Sequence, residues 1–306
     1  MSARPNPRRP DFFIPGAPKA GTTALYDYLR QHPQIFLPAA KELHYFGSDL
    51  ERRRTPRPTL GEYLRYFADA RDELRVGEAS VRYLHSRLAA REIAEFSPGA
   101  RAIIMLRDPV EMMYAMHSEL VFIGAEDIED FADALAAEDD RRRGRRIPPG
   151  ANRPVALLYR DSARYTEQVE RFFDALGRER VHVILYDDFK ADTLAAVRDV
   201  LRFLEVDDTF EPAIRVVNPS KRSRSRLVRD VAANPPGFLR AVARAVMPPH
   251  LRKRVFRTVL NMNARPERRP PMDPQLRRRL RAEFAPEVER LGRLLERDLS
   301  AWSAAA

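Results

Sequence analysis

Residues 11–29 read DFFIPGAPKAGTTALYDYL, and this stretch decides the fold. The apolar run at 11–15 predicts a short buried strand, and the spacing of apolar residues predicts a helix over residues 22–32. A glycine-containing loop joins the two elements. The stretch is therefore a strand, a loop and a helix in direct succession.

Further short apolar runs continue this alternation along the chain. They predict strands over residues 74–78, 101–106 and 181–186. Helical patterns separate or follow them at residues 86–97, 109–121, 161–176 and 190–204. Strands that alternate with helices predict an α/β fold with a central parallel sheet covered on both faces. In such sheets ligands bind at the carboxyl ends of the strands, so the residues that follow each strand are the candidates for a site.

The chain is long enough for one large domain, which we expect to span residues 1–306. Residues 1–10 are predicted to be disordered. The charged segment 139–154, with its proline and glycine residues, predicts a mobile loop. Strand signals stop near residue 211, so residues 211–306 are expected to form a helical C-terminal part of the same domain.

Composition limits the chemistry that is available. With no cysteine, the chain has no disulfide, no thiolate zinc site and no cysteine nucleophile. The N-terminal residues lack the apolar core of a signal peptide, and no apolar run reaches the roughly 18 residues of a membrane span. The sequence therefore predicts a cytoplasmic protein.

The net charge of +10 suits an anionic partner. Most of the 54 basic residues are arginine, which indicates a compositional bias. A lysine is informative against that background because its geometry and hydration differ from those of arginine. The lysines are Lys19, Lys41, Lys190, Lys221 and Lys253.

The loop after the first strand predicts an anion site. A helix N-terminus offers free N–H groups and the positive end of its dipole, and glycine lets an anion approach the backbone closely. Gly21 supplies that approach, Thr22 and Thr23 supply hydroxyl donors, and Lys19 supplies a positive charge.

The loop departs from a nucleotide-triphosphatase P-loop in one respect. Gly16 and Gly21 keep the P-loop spacing, but Thr22 stands where the lysine should be, and the lysine is at position 19. Asp108, after the 101–106 strand, could serve as a metal-binding carboxylate, whereas its neighbour Arg107 suits a second phosphate. A P-loop kinase or NTPase therefore stays an alternative.

At this point the sequence resembles the sulfotransferases that use 3′-phosphoadenosine 5′-phosphosulfate (PAPS), and most of all their heparan sulfate sulfotransferase-like group. PKAGTTAL resembles the 5′-phosphosulfate loop of that family, and IIMLRDPVEMMYAMHSEL resembles its 3′-phosphate segment. Three further motifs follow the family order: KELHYF at 41–46, GEASVRYL at 77–84 and FAPEVERLGRLLERDLSAW at 284–302. The resemblance covers essentially the whole chain and implies a three-layer, P-loop-like α/β fold with a central parallel sheet flanked by helices.

The resemblance implies catalytic roles for three residues. Lys19 would neutralise the bridging oxygen of the departing nucleotide, and Glu42 would take the proton of an acceptor hydroxyl or amine. His44 would orient Glu42 or the acceptor. The 5′-phosphate of PAPS, as the co-substrate, would be held by Ala20, Gly21, Thr22 and Thr23. No metal is implied.

For the 3′-phosphate, the resemblance implies Arg107 and a serine eight residues later, where this chain has Ala115. Ser118, on the same predicted helix face, or a basic side chain would replace the missing hydroxyl. The late basic segment at 218–227 would close over the 3′-phosphate and adenine, with the candidates Lys221, Arg222, Ser223 and Arg224.

The acceptor is open at this stage: a hydroxyl or amine of a glycan or of an amphiphilic metabolite. The basic, amphipathic residues 236–262 predict a peripheral membrane contact or a cover for the acceptor cleft. A non-enzymatic binder of anionic ligands is the other alternative. No nucleic-acid partner is predicted, and the sequence does not define the oligomeric state.

Overall fold

The computed structural model describes residues 8–53, 55–215, 221–223, 225, 258, 262–266 and 269–304. Its strands are β1 (Phe12–Gly16), β2 (Ile35–Phe36), β3 (Arg75–Ala79), β4 (Arg101–Leu106), β5 (Val181–Leu185), β6 (Lys221–Ser223) and β7 (Ala264–Pro266). Its helices are α1 (Thr22–Leu29), α2 (Leu60–Leu64), α3 (Ala89–Phe96), α4 (Pro109–Phe122), α5 (Phe131–Ala136), α6 (Glu138–Arg142), α7 (Tyr159–Ala163), α8 (Tyr165–Leu176), α9 (Tyr186–Ala191), α10 (Thr193–Phe203), α11 (Pro274–Leu295) and α12 (Ser300–Ser303).

A five-stranded parallel sheet forms the centre, in the order β2-β3-β1-β4-β5. All of β1 and most of β4 are buried, as continuous apolar runs require in a sheet covered on both faces. The predicted α/β fold with its central parallel sheet is confirmed. β2 was not predicted, because a strand of two residues leaves no apolar pattern.

Several helix boundaries differ from the predictions. The first helix ends at Leu29, before residue 32. The segment predicted as one helix at 161–176 is two helices, broken at Arg164. The segment predicted at 190–204 is broken at Asp192, whose carboxylate accepts a hydrogen bond from the N–H of Ala195 and caps α10. A capping side chain competes with the helix that precedes it, and apolar spacing alone does not show this.

The segment 139–154, predicted as a mobile loop, begins as helix. Arg141 of α6 is fully buried and forms an ion pair of 2.7 Å with Glu126, which also accepts the hydroxyl hydrogen bond of Tyr159 at 2.7 Å. At the start of the chain, Arg9 of the segment predicted to be disordered lies 4.9 Å from the ring centroid of Phe96. Residues 1–7 lie outside the described residues.

The C-terminal part is not purely helical, since β6 and β7 form an antiparallel pair. Of residues 236–262, only 258 and 262 are described, so the predicted membrane contact falls almost entirely outside the described residues. Where helices are described, none is long and apolar enough to cross a membrane.

Helix α11 and the residues after it are held against the sheet domain at two places. At the start of α4, Arg281 pairs with Asp108 at 3.6 Å. At α9, the indole N–H of Trp302 donates to Asp187 at 2.9 Å, and Arg297 pairs with Asp188 at 2.7 Å. The C-terminal helices therefore support both elements that follow β4 and β5.

A buried carboxyl group at Glu78 organises the interior beside β3. It accepts hydroxyl hydrogen bonds from Tyr63 at 2.6 Å, from Tyr83 at 2.8 Å and from Ser80. Burial raises the pKa of Glu78 to about 7, although the three donors act in the opposite direction. Near neutral pH the Glu78 side chain is therefore close to half protonated.

Two of these hydroxyls, those of Ser80 and Tyr83, hold the segment that follows β2. The N–H of His44 donates to the Ser80 oxygen at 2.9 Å, and the N–H groups of Tyr45 and Phe46 donate to the Tyr83 oxygen at 2.7 and 3.2 Å. Three successive backbone groups of the KELHYF segment are therefore fixed by side chains bound to one carboxyl group.

The raised pKa of Glu78 gives a pH dependence of stability. Between pH 5 and 7 the folded chain keeps a proton that the unfolded chain releases, so the unfolding free energy should fall as pH rises, by up to about 1.4 kcal/mol per pH unit. The Glu78→Gln variant should lack this contribution. Urea unfolding of both proteins at pH 5, 6 and 7 tests it, and a constant difference between them would contradict it.

Gly77 and Gly61 allow a matched test of how alanine substitution changes stability, because they differ in the space around them. A Cβ at Gly77 of β3 would lie 2.1 Å from the ring of the fully buried Phe12, whereas a Cβ at Gly61 of α2 would meet no atom within 4 Å. We expect Gly77→Ala to cost about 1–3 kcal/mol through overpacking. Gly61→Ala should add about 0.4–1 kcal/mol by restricting the unfolded chain. Urea unfolding of both variants measures the contrast, and equal effects would contradict it.

Candidate active site

The loop after β1 lies at the carboxyl edge of the sheet, where β1 runs between β3 and β4. Gly21 caps α1 with a φ of +93°, and a Cβ there would lie 3.2 Å from the side chains of Met105 and Tyr186. Both its conformation and its surroundings therefore require glycine. The first N–H groups of α1, at Thr22 and Thr23, have no partner inside the helix.

Lys19 lies at the outer side of this loop. Its ammonium is 3.2 Å from the carboxylate of Glu119 on α4, and about a third of its side chain is exposed. Arg107, directly after β4, donates to the backbone oxygen of Lys19 at 3.2 Å, and its guanidinium is 4.8 Å from the ring centroid of Tyr186. The predicted residues Lys19 and Arg107 therefore belong to one site.

Lys41 joins the loop to the predicted base. Its ammonium donates to the hydroxyl oxygens of Thr22 at 3.0 Å and Thr23 at 3.3 Å, and to the carboxylate of Glu42 at 3.2 Å. No site role was predicted for Lys41 from the sequence. The rarity of lysine in an arginine-rich chain was the signal that could have indicated one.

Glu42 is held by three groups. Besides Lys41, the ring Nε2 of His44 lies 3.2 Å from its second carboxylate oxygen, which also accepts from the N–H of Val81 at 3.2 Å. Glu42 and His44 both adopt left-handed backbone conformations, with φ of +67° and +52°. Such conformations are costly for residues other than glycine and occur most often at functional sites.

His44 is kept neutral by its surroundings. Burial is the largest cause that lowers its pKa, followed by the charges of Arg153, Arg52, Arg82 and Lys41. A neutral ring with its proton on Nε2 would direct an N–H group toward the Glu42 carboxylate oxygen 3.2 Å away. The orienting role that the resemblance implied for His44 stays a prediction.

A cavity of about 540 Å³ opens beyond Arg107. Its charged and aromatic lining comprises Arg107, Glu111, Tyr114, Lys190, Arg269 and Arg277. Arg269 lies 4.8 Å from the ring centroid of Tyr114, and its Nη1 is buried without a hydrogen-bond partner. Burial and then Arg107 are the largest causes that lower the pKa of Arg269. An oxyanion between the guanidiniums of Arg107 and Arg269 would accept the unmet hydrogen bond of Arg269 and reduce the repulsion between the two cations. These residues therefore fit a phosphate group.

The other candidates for the 3′-phosphate have different positions. The hydroxyl of Ser118 donates to the backbone oxygen of Tyr114 at 2.9 Å, within its own helix, and Ala115 is buried. Lys221, Arg222 and Ser223 form β6, and Arg224 lies outside the described residues. Arg269 was missed because one arginine among many carries no distinguishing pattern.

Asp108 has a structural role. Its carboxylate accepts from the N–H groups of Val110 at 2.8 Å and Glu111 at 3.3 Å, which caps α4, and it pairs with Arg281. Within the described part of the chain, His, Asp and Glu side chains form no group of three that could hold a metal ion.

The arrangement can bind an anion in two places and can accept a proton beside the first of them. Lys19 and the start of α1 form the first place, and Arg107 with Arg269 forms the second. The carboxylate of Glu42 lies beside the first place through its shared contact with Lys41. A nucleotide that carries phosphate at both ends of its ribose fits this arrangement.

Comparison with known proteins supports the fold described above. Among solved structures, the chain is similar to the crystal structure of a sulfotransferase from Alicyclobacillus acidocaldarius, with 32% identity, a TM-score of 0.73, and coverage of 97% of this chain and 100% of that one. The likeness confirms the P-loop-like fold.

Curated relatives match over shorter stretches. Human carbohydrate sulfotransferase 15 is 33% identical in an alignment 150 residues long that covers 35% of this chain and 26% of that protein. The bifunctional heparan sulfate N-deacetylase/N-sulfotransferase 1 of Caenorhabditis briggsae is 21% identical in an alignment 240 residues long that covers 72% of this chain and 25% of that protein. The chain thus spans about a quarter of the length of these relatives. A family model described as the sulfotransferase domain matches residues 9–226, so the chain belongs to the sulfotransferase domain family.

Proposed function

We propose that this protein transfers a sulfuryl group from PAPS to a hydroxyl or amine of an acceptor. The observation that carries the proposal is the contact of one ammonium, that of Lys41, with both the threonines of the anion loop and the carboxylate of Glu42. This contact supports the proposal because it links the Glu42 carboxylate, as the proton acceptor that we propose, to the loop that would hold the transferred group.

The donor site has two halves. The N–H groups and hydroxyls of Thr22 and Thr23 hold the 5′-phosphate, with the close approach that Gly21 permits. Arg107 and Arg269 hold the 3′-phosphate, so that Arg269 takes the place of the hydroxyl that Ala115 lacks. PAPS supplies the sulfuryl group, and no metal is needed for this transfer.

Lys19 and Glu42 act on opposite sides of the transfer. Glu42 accepts the proton of the acceptor hydroxyl or amine as the acceptor oxygen or nitrogen bonds to sulfur. Lys19 neutralises the charge that develops on the bridging oxygen as the bond from that oxygen to sulfur breaks. His44 and Val81 keep the Glu42 carboxylate aimed at the acceptor.

The relatives are named for carbohydrate and heparan sulfate substrates, which supports a glycan as the acceptor class. An amphiphilic metabolite stays an alternative. The cytoplasmic location and the membrane contact of residues 236–262 stay predictions.

The transfer itself is tested by mass spectrometry of cell extracts incubated with PAPS, with and without the protein. We expect new products heavier by about 80 Da, the mass of an added SO₃ group, because the protein should move that group onto its acceptor. Binding of the product nucleotide 3′,5′-adenosine bisphosphate (PAP), measured by calorimetry, provides a second test. A protein that does not bind PAP would contradict the proposed function.

Removal of either catalytic side chain should separate turnover from nucleotide binding. Glu42→Gln should lower kcat by about 10²-fold or more, because the proton acceptor is lost, and leave the Kd for PAP nearly unchanged. Lys19→Ala should lower kcat by a similar factor through loss of charge stabilisation. Steady-state kinetics and calorimetry measure both. Glu95→Gln, at an exposed ion pair with Arg91, is the control, and unchanged kcat in Glu42→Gln would contradict the base role.

The 3′-phosphate site makes its own prediction. Arg107→Gln and Arg269→Gln should each weaken PAP binding by about 10- to 100-fold, because a charge-assisted contact is lost, and should change binding of AMP, which has no 3′-phosphate, far less. Ser118→Ala serves as the comparison, and its PAP affinity should stay close to that of the wild type. Calorimetry with both nucleotides decides, and equal losses for PAP and AMP would exclude a 3′-phosphate role.

A further inference from the structure

Three arginines whose charges act on His44 form no ion pair with a carboxylate in the described part of the chain. They are Arg52, Arg82 and Arg153. Elsewhere in the described chain several buried or half-buried arginines have such a partner, as Arg141 has in Glu126 and Arg160 has in Glu138. Arg52, Arg82 and Arg153 lack one.

Arg82 is the most deeply placed of the three, with 8% of its surface exposed. Its Nη2 lies 3.4 Å from the sulfur of Met116, and its Nη1 is buried with no hydrogen-bond partner. It directly follows Val81, the residue whose N–H binds Glu42. Burial lowers its pKa, while the charges of Glu42 and Glu119 act in the opposite direction. Arg82 is thus close to both carboxylates that border the transfer site, yet forms an ion pair of hydrogen-bond length with neither.

Arg52 and Arg153 approach from two loops that are joined to each other. The N–H of Arg53 donates to the backbone oxygen of Asn152 at 2.9 Å, and the amide of Asn152 donates to the hydroxyl of Thr55 at 3.1 Å. The guanidinium of Arg52 donates to the backbone oxygen of Pro56 at 3.3 Å. Burial, then Arg52, then Arg82 lower the pKa of Arg153 to about 10. The three cations are therefore close enough to repel one another.

Such an arrangement is costly unless an anion completes it. Repulsion among partly desolvated cations and an orphaned guanidinium N–H both destabilise the folded chain. An oxyanion that accepts hydrogen bonds from the guanidiniums removes both costs, and arginine geometry suits carboxylate, sulfate and phosphate groups. The donor nucleotide already has Arg107, Arg269 and the anion loop for its own phosphates.

We propose that Arg52, Arg82 and Arg153 bind an anionic group of the acceptor, next to the hydroxyl or amine from which Glu42 removes the proton. The inference rests on the proposed function, whose acceptor class it narrows to molecules that already carry a carboxylate, sulfate or phosphate. Neutral acceptors of the same shape are discriminated against, because they leave the three cations unpaired.

Matched acceptor pairs test the inference on PAP-saturated protein. The first pair is an unsulfated chondroitin hexasaccharide and its carboxyl-reduced form, and the second is 4-hydroxyphenylacetate and 4-hydroxyphenylacetamide. We expect at least one acidic probe to bind about 10-fold or more tightly than its neutral counterpart by calorimetry or ligand-observed NMR. The pair that shows the preference indicates a glycan or a small aromatic source of the anion.

Variants then assign the preference to the arginines. Arg82→Gln and Arg153→Gln should each reduce it to about threefold or less, whereas Arg91→Gln, at an exposed ion pair with Glu95, should leave it unchanged. Since Arg82 is buried, Arg52→Gln and Arg153→Gln, at half-buried positions, keep the test valid if Arg82→Gln does not fold.

The outcomes separate the two proposals. Wild-type protein that binds PAP but shows no preference for either acidic probe, or a preference that survives in the variants, overturns the anionic acceptor and leaves the sulfotransferase function intact. Wild-type protein that does not bind PAP counts against the proposed function itself. Loss of PAP binding in the arginine variants alone would instead assign these side chains to the donor.

Discussion

The hydrogen bonds that Glu78 accepts from three hydroxyls connect the interior of the sheet to the edge that carries the candidate active site. Tyr83 and Ser80 use their hydroxyl hydrogens on this carboxyl group, so their oxygens are left to accept from the backbone of residues 44–46. That backbone begins two residues after Glu42, which has a left-handed conformation. A strained conformation of this kind persists only when its surroundings determine it, and here the determining group, Glu78, is fully buried.

The chain uses its many arginines in two distinct ways. On the surface many belong to exposed pairs such as Arg91–Glu95 and Arg293–Glu289, which contribute little to stability. At the carboxyl edge of the sheet, Arg82, Arg107 and Arg269 are buried or half-buried and form no ion pair within the described residues. In a protein whose composition favours arginine, an arginine without an acidic partner therefore indicates a binding site more clearly than the net charge of +10 does.

The fold and part of the candidate site could be predicted from the sequence because one short segment contains both the first strand and the residues of the anion loop. The strand, the glycine loop and Lys19 are contiguous, and Arg107 directly follows an apolar strand, so their positions at one edge could be predicted from the parallel sheet. Arg82 and Arg269 could not be identified in this way. Their roles depend on burial and on unmet hydrogen bonds, which arise only when distant segments pack together. The breaks at Arg164 and Asp192 were missed for a related reason, because a capping interaction or a single backbone turn overrides the apolar period.

The contacts of the last helices determine which half of the candidate site is completed last during synthesis. Arg281 supports the start of α4, the helix that follows Arg107. Trp302 supports α9, which contributes the Tyr186 ring that the Arg107 guanidinium contacts. A ribosome synthesises these C-terminal residues long after the anion loop near residue 20. The anion loop contacts Glu119 and Tyr186, so its half of the site needs residues up to about 186, whereas the half around Arg107 and Arg269 is completed last, after residues near 300 have packed back onto the sheet.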